Sequence, residues 1–105
     1  MAYSVDSEVT LISRKLIGRD SKGTAQYESK MRTIPCKFES VSQSEFFTAG
    51  QAGIAAEGVF VVNPIEYQKE LRLMHEGVAL KVYRTYRRSM DELELHAASE
   101  VGING

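Results

Sequence analysis

The chain has 105 residues, 43% hydrophobic and 26% charged, and thirteen Lys and Arg against fourteen Asp and Glu leave a formal net charge of −1. That length supports one domain over residues 1–105 with a core burying about 65% of the unfolded surface, and it argues against a large substrate cleft. The near-neutral balance argues against a dedicated nucleic-acid binder with a strongly basic surface and against a polybasic membrane anchor. Cys36 is the single cysteine, which excludes an intrachain disulfide framework and a Cys-rich zinc module. MAYSVDSEV has no charged-then-apolar signal pattern and no apolar run approaches about 18 residues, so the expectation is a protein of, or assembled in, a cytosol.

Residues 1–7 read as a short polar arm. Glu8 to Ile17 is rich in β-branched residues and predicts a half-buried strand. Gly18 and Gly23 bracket a polar loop tip, and the polar stretch after it, to Thr33, reads as a mobile connection or an edge strand. Ile34, Cys36 and Phe38 then share one strand face, with Lys37 and Glu39 on the other, and Pro35 marks a strand start or an edge. Ser42-Gln-Ser-Glu45 fits a capping box and predicts a short helix over about 42–50. A helix that short must pack on something. Phe46 and Phe47 are about 100° apart on it, so one is expected to face the core and the other a partner.

Gly58 to Val62 is a continuous apolar run suited to a buried strand, ended by Asn63-Pro64. Residues 70–88 predict a hairpin about Glu76-Gly77. Its first strand carries Leu71, Leu73 and His75 on one face. Its second carries Val78, Leu80, Val82, Arg84 and Tyr86 on one face and Lys81, Tyr83 and Thr85 on the other. Glu92 to His96 predicts a last strand with Leu93 and Leu95 inward, and residues 98–105 read as a flexible arm. The fold class is therefore mostly β: a small antiparallel barrel or sandwich of about six strands with one short helix.

Catalytic constellations are not evident. His75 and His96 lack acidic or cysteine partners at metal-ligand spacing and are expected on the surface or rim. Cys36 reads as a small buried apolar residue. The glycines form no phosphate loop, and no Ser stands in a GxSxG elbow. The chain is accordingly expected to be no enzyme and to use no cofactor or metal. The one charge cluster is Lys81, Arg84, Arg87 and Arg88, interleaved with Tyr83 and Tyr86. Such a strand can bind single-stranded nucleic acid, or it is a solvated edge neutralised by Asp91, Glu92 and Glu94.

Four blocks carry a resemblance over about residues 8–102. They are Phe38-Glu-Ser-Val-Ser-Gln-Ser-Glu-Phe-Phe-Thr-Ala-Gly-Gln-Ala-Gly-Ile54, Gly58-Val-Phe-Val-Val62, Val82-Tyr-Arg-Thr-Tyr86 and Glu92-Leu-Glu-Leu95. Together they resemble the head closure (stopper, or head–tail joining) proteins of long-tailed double-stranded DNA bacteriophages. The chain departs from that pattern at 63–70 (NPIEYQKE) and at 77–80 (GVAL).

The resemblance implies a small β-barrel with a short helix and one long mobile loop. It implies a subunit of a ring, usually twelve-fold, in the neck of the virion. That ring sits between an adaptor or portal ring on the head side and a tail-terminator or tail-completion protein on the tail side. Packaged DNA passes through its lumen, and the ring retains the genome and offers the tail a docking surface. On this reading Arg19, Asp20, Lys22, Lys30 and Arg32 belong to the loop facing the channel or a neighbour. Glu45, Phe46 and Phe47 form a ring or adaptor contact, and Arg84, Arg87 and Arg88 bridge to acidic groups next door. Two other readings stand beside it: a tail-terminator or other connector ring component, and a small barrel binding single-stranded nucleic acid through Tyr83, Arg84, Tyr86 and Arg87.

Overall fold

Alternation of apolar and polar side chains runs through most of the chain, and a period of two builds strands with one buried face. The structure, a computed structural model, describes residues 7–99. These form β1 (Ser7–Arg19), β2 (Ala25–Glu39), α1 (Gln43–Gln51), β3 (Ala56–Val62), a 3-10 turn over Pro64–Glu66, β4 (Arg72–His75), β5 (Val78–Arg87) and β6 (Leu93–Ser99). The strands close into a barrel in the order β1-β2-β3-β6-β5-β4, with every neighbouring pair antiparallel. The closing seam is short: Thr10, Leu11 and Ile12 of β1 face Met74, Leu73 and Arg72 of β4.

The core follows the alternation. Val9 and Leu11, Ile34 and Cys36, Phe60 and Val62, Leu73, Leu80 and Val82, and Leu95 and Ala97 fill the barrel. Full burial of a side chain such as Phe60, Leu11, Leu73 or Leu95 contributes about 1.5–3 kcal/mol. Strand β3 is buried on its other face too, at Val59 and Val61, which is why it reads as an unbroken apolar run. At one barrel mouth the Phe38 ring stacks on His75 at 5.1 Å and tilts against Phe60 at 5.2 Å. Gly58 lies beneath that ring, where a Cβ would stand 2.5 Å from Phe38 Cε1.

The β4–β5 turn matches expectation. His75 pairs with Val78, and Glu76 and Gly77 both take positive φ, 52° and 82°. That is the two-residue hairpin geometry whose twist suits the flanking strands. Asn63 accepts from the Ile65 N–H through its side chain and Pro64 opens the 3-10 turn, so Asn-Pro ends β3 as read.

Several expectations are corrected. Residues 18–32 are not a long loop. Only the tip about 20–24 turns, and Ala25 to Arg32 is strand, paired residue by residue with β1. Polar strands with one partner carry no burial signature, so their pattern looks like loop. The first hairpin strand starts at Arg72, and Leu71, just before it and two residues after Lys69 at φ 65°, is exposed. Val78 likewise lies exposed beside the turn. In β5 a bulge between Val82 and Arg84 reverses the face order. Arg84 and Tyr86 pair with His96 and Glu94 on the outer side, while Thr85 and Arg87 pair with Leu95 and Leu93. Ala98 and Ser99, expected in a flexible arm, complete β6, and Ala98 is fully buried. The arms expected at 1–6 and 100–105 lie outside the described residues.

Candidate functional site

Helix α1 lies against the outer face of the barrel, and its capping fixes where it starts and stops. The Ser42 hydroxyl accepts the Glu45 N–H at 3.1 Å, which is half of the expected capping box. At the other end Gly53 takes φ 80°, its N–H donates to the Gly50 carbonyl, and the Ile54 N–H donates to the Ala49 carbonyl. This double closure satisfies the last carbonyls and requires a residue comfortable in the left-handed region.

The Glu45 side chain does not return to the Ser42 backbone. It turns onto the barrel, where its Oε2 accepts from the Tyr83 hydroxyl at 2.7 Å and its Oε1 accepts from Arg84 Nη2 at 2.7 Å. Glu45 and Ala49 are one turn apart, and Ala49 is the buried residue of the helix, so these two define the face toward the barrel. Phe46 and Phe47 are then both rotated away, 55% and 63% exposed. The expectation that one of them enters the core is corrected. A charged anchor and a small alanine set the helix phase, and the larger apolar side chains point out.

The anchor belongs to a wider polar layer. His96, only 4% exposed, shares a 2.7 Å hydrogen bond between its Nε2 and Glu94 Oε1, and its Nδ1 lies 3.7 Å from Glu45 Oε2. Tyr83 meets the His96 ring edge-on at 6.2 Å. Arg88 donates to Glu39 at 2.8 Å and 3.2 Å and to Glu94 at 2.9 Å. Glu39 is on β2 and Glu94 on β6, the two neighbours of β3. The guanidinium therefore bridges across β3 at the level of Val59 and Val61, which pair with Glu39 and Glu94.

The carboxyls respond to these contacts. Hydrogen bonds from Arg84 and then Tyr83 hold Glu45 down at about 2. Arg88 first, and Lys37, hold Glu39 below the usual carboxylate range. Burial alone would raise Glu94, but His96 and Arg88 outweigh it and lower it. The layer is a set of pre-formed ion pairs, with its cations already engaged.

The predicted site residues fall in separate places. Arg84 and Arg88 bridge to acidic groups, but within the chain, and Arg87 donates to the Ser89 and Met90 carbonyls. Of the acidic residues expected to neutralise this strand, Glu94 does so, together with Glu39 and Glu45 from distant segments. Arg19 donates to the Gly23 carbonyl, and Asp20 accepts from the Lys22 and Thr24 N–H groups, which orders the hairpin tip. Lys22 and Lys30 are exposed on that arm. Arg32 belongs to the barrel end of it, donating to Glu70 at 2.6 Å and to the Glu66 carbonyl at 2.7 Å. Glu70 is buried. Burial would raise its carboxyl, and Arg32 and the Gln68 N–H reverse that and lower it.

The residues missed by sequence reasoning are Tyr83 as helix anchor, Glu39, Glu70 and His96. The outward positions of β6 held a usable signal: Glu94 and His96 alternate with Leu93 and Leu95, so they share a face. His96, expected on the surface or rim, is buried because α1 and β5 cover it. His75 is half-buried at the barrel mouth. Burial pushes the Cys36 thiol up to about 11, with Glu8 adding to it, so this thiol is a poor nucleophile. Among the described residues no group of three or more His, Cys, Asp or Glu is arranged to hold a metal ion, and no helix is long and apolar enough to cross a membrane. No protein-family model and no curated protein matches the chain.

Proposed function

We propose that the chain is a non-enzymatic ring subunit of a phage head-to-tail connector, closing the DNA-filled head and offering the tail its docking surface. The observation that carries this reading is the outward presentation of Phe46 and Phe47 on a helix pinned to the barrel by Glu45. These two residues belong to the Ser-Glu-Phe-Phe block on which the resemblance rests. A monomeric domain has no use for two adjacent exposed phenylalanines on a rigid support, and a protein contact does. The β1–β2 arm gives the subunit a second, chemically different surface, as a ring with heterologous contacts requires. The single-stranded nucleic-acid reading loses support, since Arg84 and Arg88 are paired within the chain and the Tyr83 hydroxyl is held by Glu45.

Phe47→Ser tests the reading. The variant folds as a monomer, and particles carrying it lose packaged DNA and fail to bind tails. Particles that keep DNA and accept tails normally would refute the helix contact. DNA-filled heads with overlong tails would assign the chain to the tail-terminator ring instead.

A further inference from the structure

The β1–β2 arm is the part of the molecule that its own chain supports least. Strand β1 pairs with β4 only over Thr10 to Ile12, and β2 pairs with β3 only over Lys37 to Glu39. Beyond these, residues 13–19 and 25–31 have, among the described residues, only each other as strand partners. At about 3.3 Å per residue the ribbon extends some 23 Å, within a molecule 56 Å long and 31 by 24 Å across. A lone two-stranded ribbon is marginal in water, and this one exposes Leu16, Ile17, Tyr27 and Met31. Such a ribbon gains most from a partner.

Charge indicates which partner. Residues 13–31 carry five bases (Arg14, Lys15, Arg19, Lys22, Lys30) against Asp20 and Glu28, a net +3, so the rest of the −1 chain carries −4. The near-neutral total conceals this separation. At the same end of the barrel the 63–66 and 89–92 turns enclose an open cleft of about 750 Å³. Among the described residues its lining includes Glu66, Asp91 and Glu92 and no Lys or Arg. Arg87, the nearest base in sequence besides Arg88, is turned to the Ser89 and Met90 carbonyls. The same two turns carry Ile65 and Met90, 87% and 82% exposed. The cleft thus offers the arm both opposite charge and apolar contact.

We propose that the arm of one copy docks in the acidic cleft of the next copy, with Arg19 and Lys22 against Glu66, Asp91 and Glu92 and with Leu16 and Ile17 against Ile65 and Met90. The partner is a second copy of this chain, and the inference rests on the ring reading above. Arm and cleft are different surfaces, so the contact is heterologous and propagates from subunit to subunit until a ring closes. The arm tip arrives pre-ordered, because Asp20 and Arg19 already hold the turn, which lowers the entropic cost of docking.

Two charge-reversed proteins test this by sedimentation of the full chain at near-millimolar concentration, in low and high salt. One carries Arg19→Glu and Lys22→Glu, the other Asp91→Lys and Glu92→Lys. The wild type self-associates, more weakly at high salt. Each reversed protein alone associates at least about tenfold more weakly, a loss of about 1.4 kcal/mol or more. Their equimolar mixture recovers association, since each arm then finds a cleft of opposite charge. A wild type that stays monomeric, reversed proteins that associate like wild type, or a mixture that recovers nothing would each overturn the proposal. So would duplex DNA binding that the arm reversal abolishes while self-association is unchanged. In assembled particles, Lys22→Cys with Asp91→Cys gives a ladder of disulfide-linked oligomers. Rings present without that ladder sink the docking mode and leave the ring reading standing. Particles without rings sink the ring reading itself.

Discussion

Replacing Glu45 with Gln keeps the size of the helix anchor and removes its charge. In the wild type the Tyr83 hydroxyl donates to a carboxylate at 2.7 Å, and Arg84 donates at 2.7 Å and 3.3 Å. A hydrogen bond to a charged group contributes about 1.5–3 kcal/mol and a neutral one about 1 kcal/mol, so the loss at Tyr83 is roughly 1 kcal/mol. The Arg84 side chain is 46% exposed, and solvent screening reduces its share to about 0.5 kcal/mol. Glu45→Gln therefore lowers the unfolding free energy by about 1.5 kcal/mol at neutral pH. With a urea slope of about 1–1.5 kcal/mol per molar for a domain of this size, the midpoint falls by about 1–1.5 M.

The sign with pH is fixed by the direction of the carboxyl shift. Folding lowers Glu45 from its ordinary 4.5 to about 2. Its contribution is thus fully present above 4.5 and is lost as pH falls toward 2. Gln does not titrate, and the other lowered carboxyls are common to both proteins. The gap between wild type and variant is largest at pH 7 and closes toward pH 2. In a Tyr83→Phe background the cost of Glu45→Gln drops to about 0.5 kcal/mol. Urea titrations at several pH values measure all of this. A gap that is constant from pH 7 to pH 3, or that is undiminished without the Tyr83 hydroxyl, would refute the anchor.

Other outcomes follow from the same packing. Arg32→Met leaves the Glu70 carboxylate, whose side chain is 4% exposed, without its cation. It costs about 3 kcal/mol in thermal or urea unfolding, and adding Glu70→Leu recovers at least half of that. Glu76→Asn relaxes a non-glycine residue at φ 52° in the β4–β5 turn and gains about 0.5–1 kcal/mol, seen as a rise of roughly 2–6 °C in Tm. Phe47→Ser changes unfolding free energy by less than about 0.5 kcal/mol, because the side chain is mostly exposed.

Local chemistry was readable in the sequence wherever a short segment decides its own conformation. Ser42 capped the helix where expected, Asn63-Pro64 ended β3, Glu76-Gly77 made the tight turn, and alternation grouped Ile34 with Cys36, Leu80 with Val82, and Leu73 and Leu95 on faces that enter the core. Turns, caps and alternation depend on neighbours within a few residues, so they survive without knowledge of the fold.

The site was less legible, because its geometry depends on residues far apart in sequence. Glu45 looked like a surface contact until β5 brought Tyr83 and Arg84 beneath it. The Val82–Arg84 bulge, which no pattern announces, decided which side chains of β5 face outward. Arg88 found Glu39 forty-nine positions away.

The net charge of −1 is a property of the sequence alone. Its meaning came from topology. Pairing β1 with β2 from Ser7 and Cys36 out to Arg19 and Ala25 drew five bases and two acids into a projecting arm, and left the acidic excess on the rest of the chain. Composition determined how much charge and apolar surface this protein has. Only the tertiary structure, by choosing which strands pair and which are left with one neighbour, decided where that charge and surface stand.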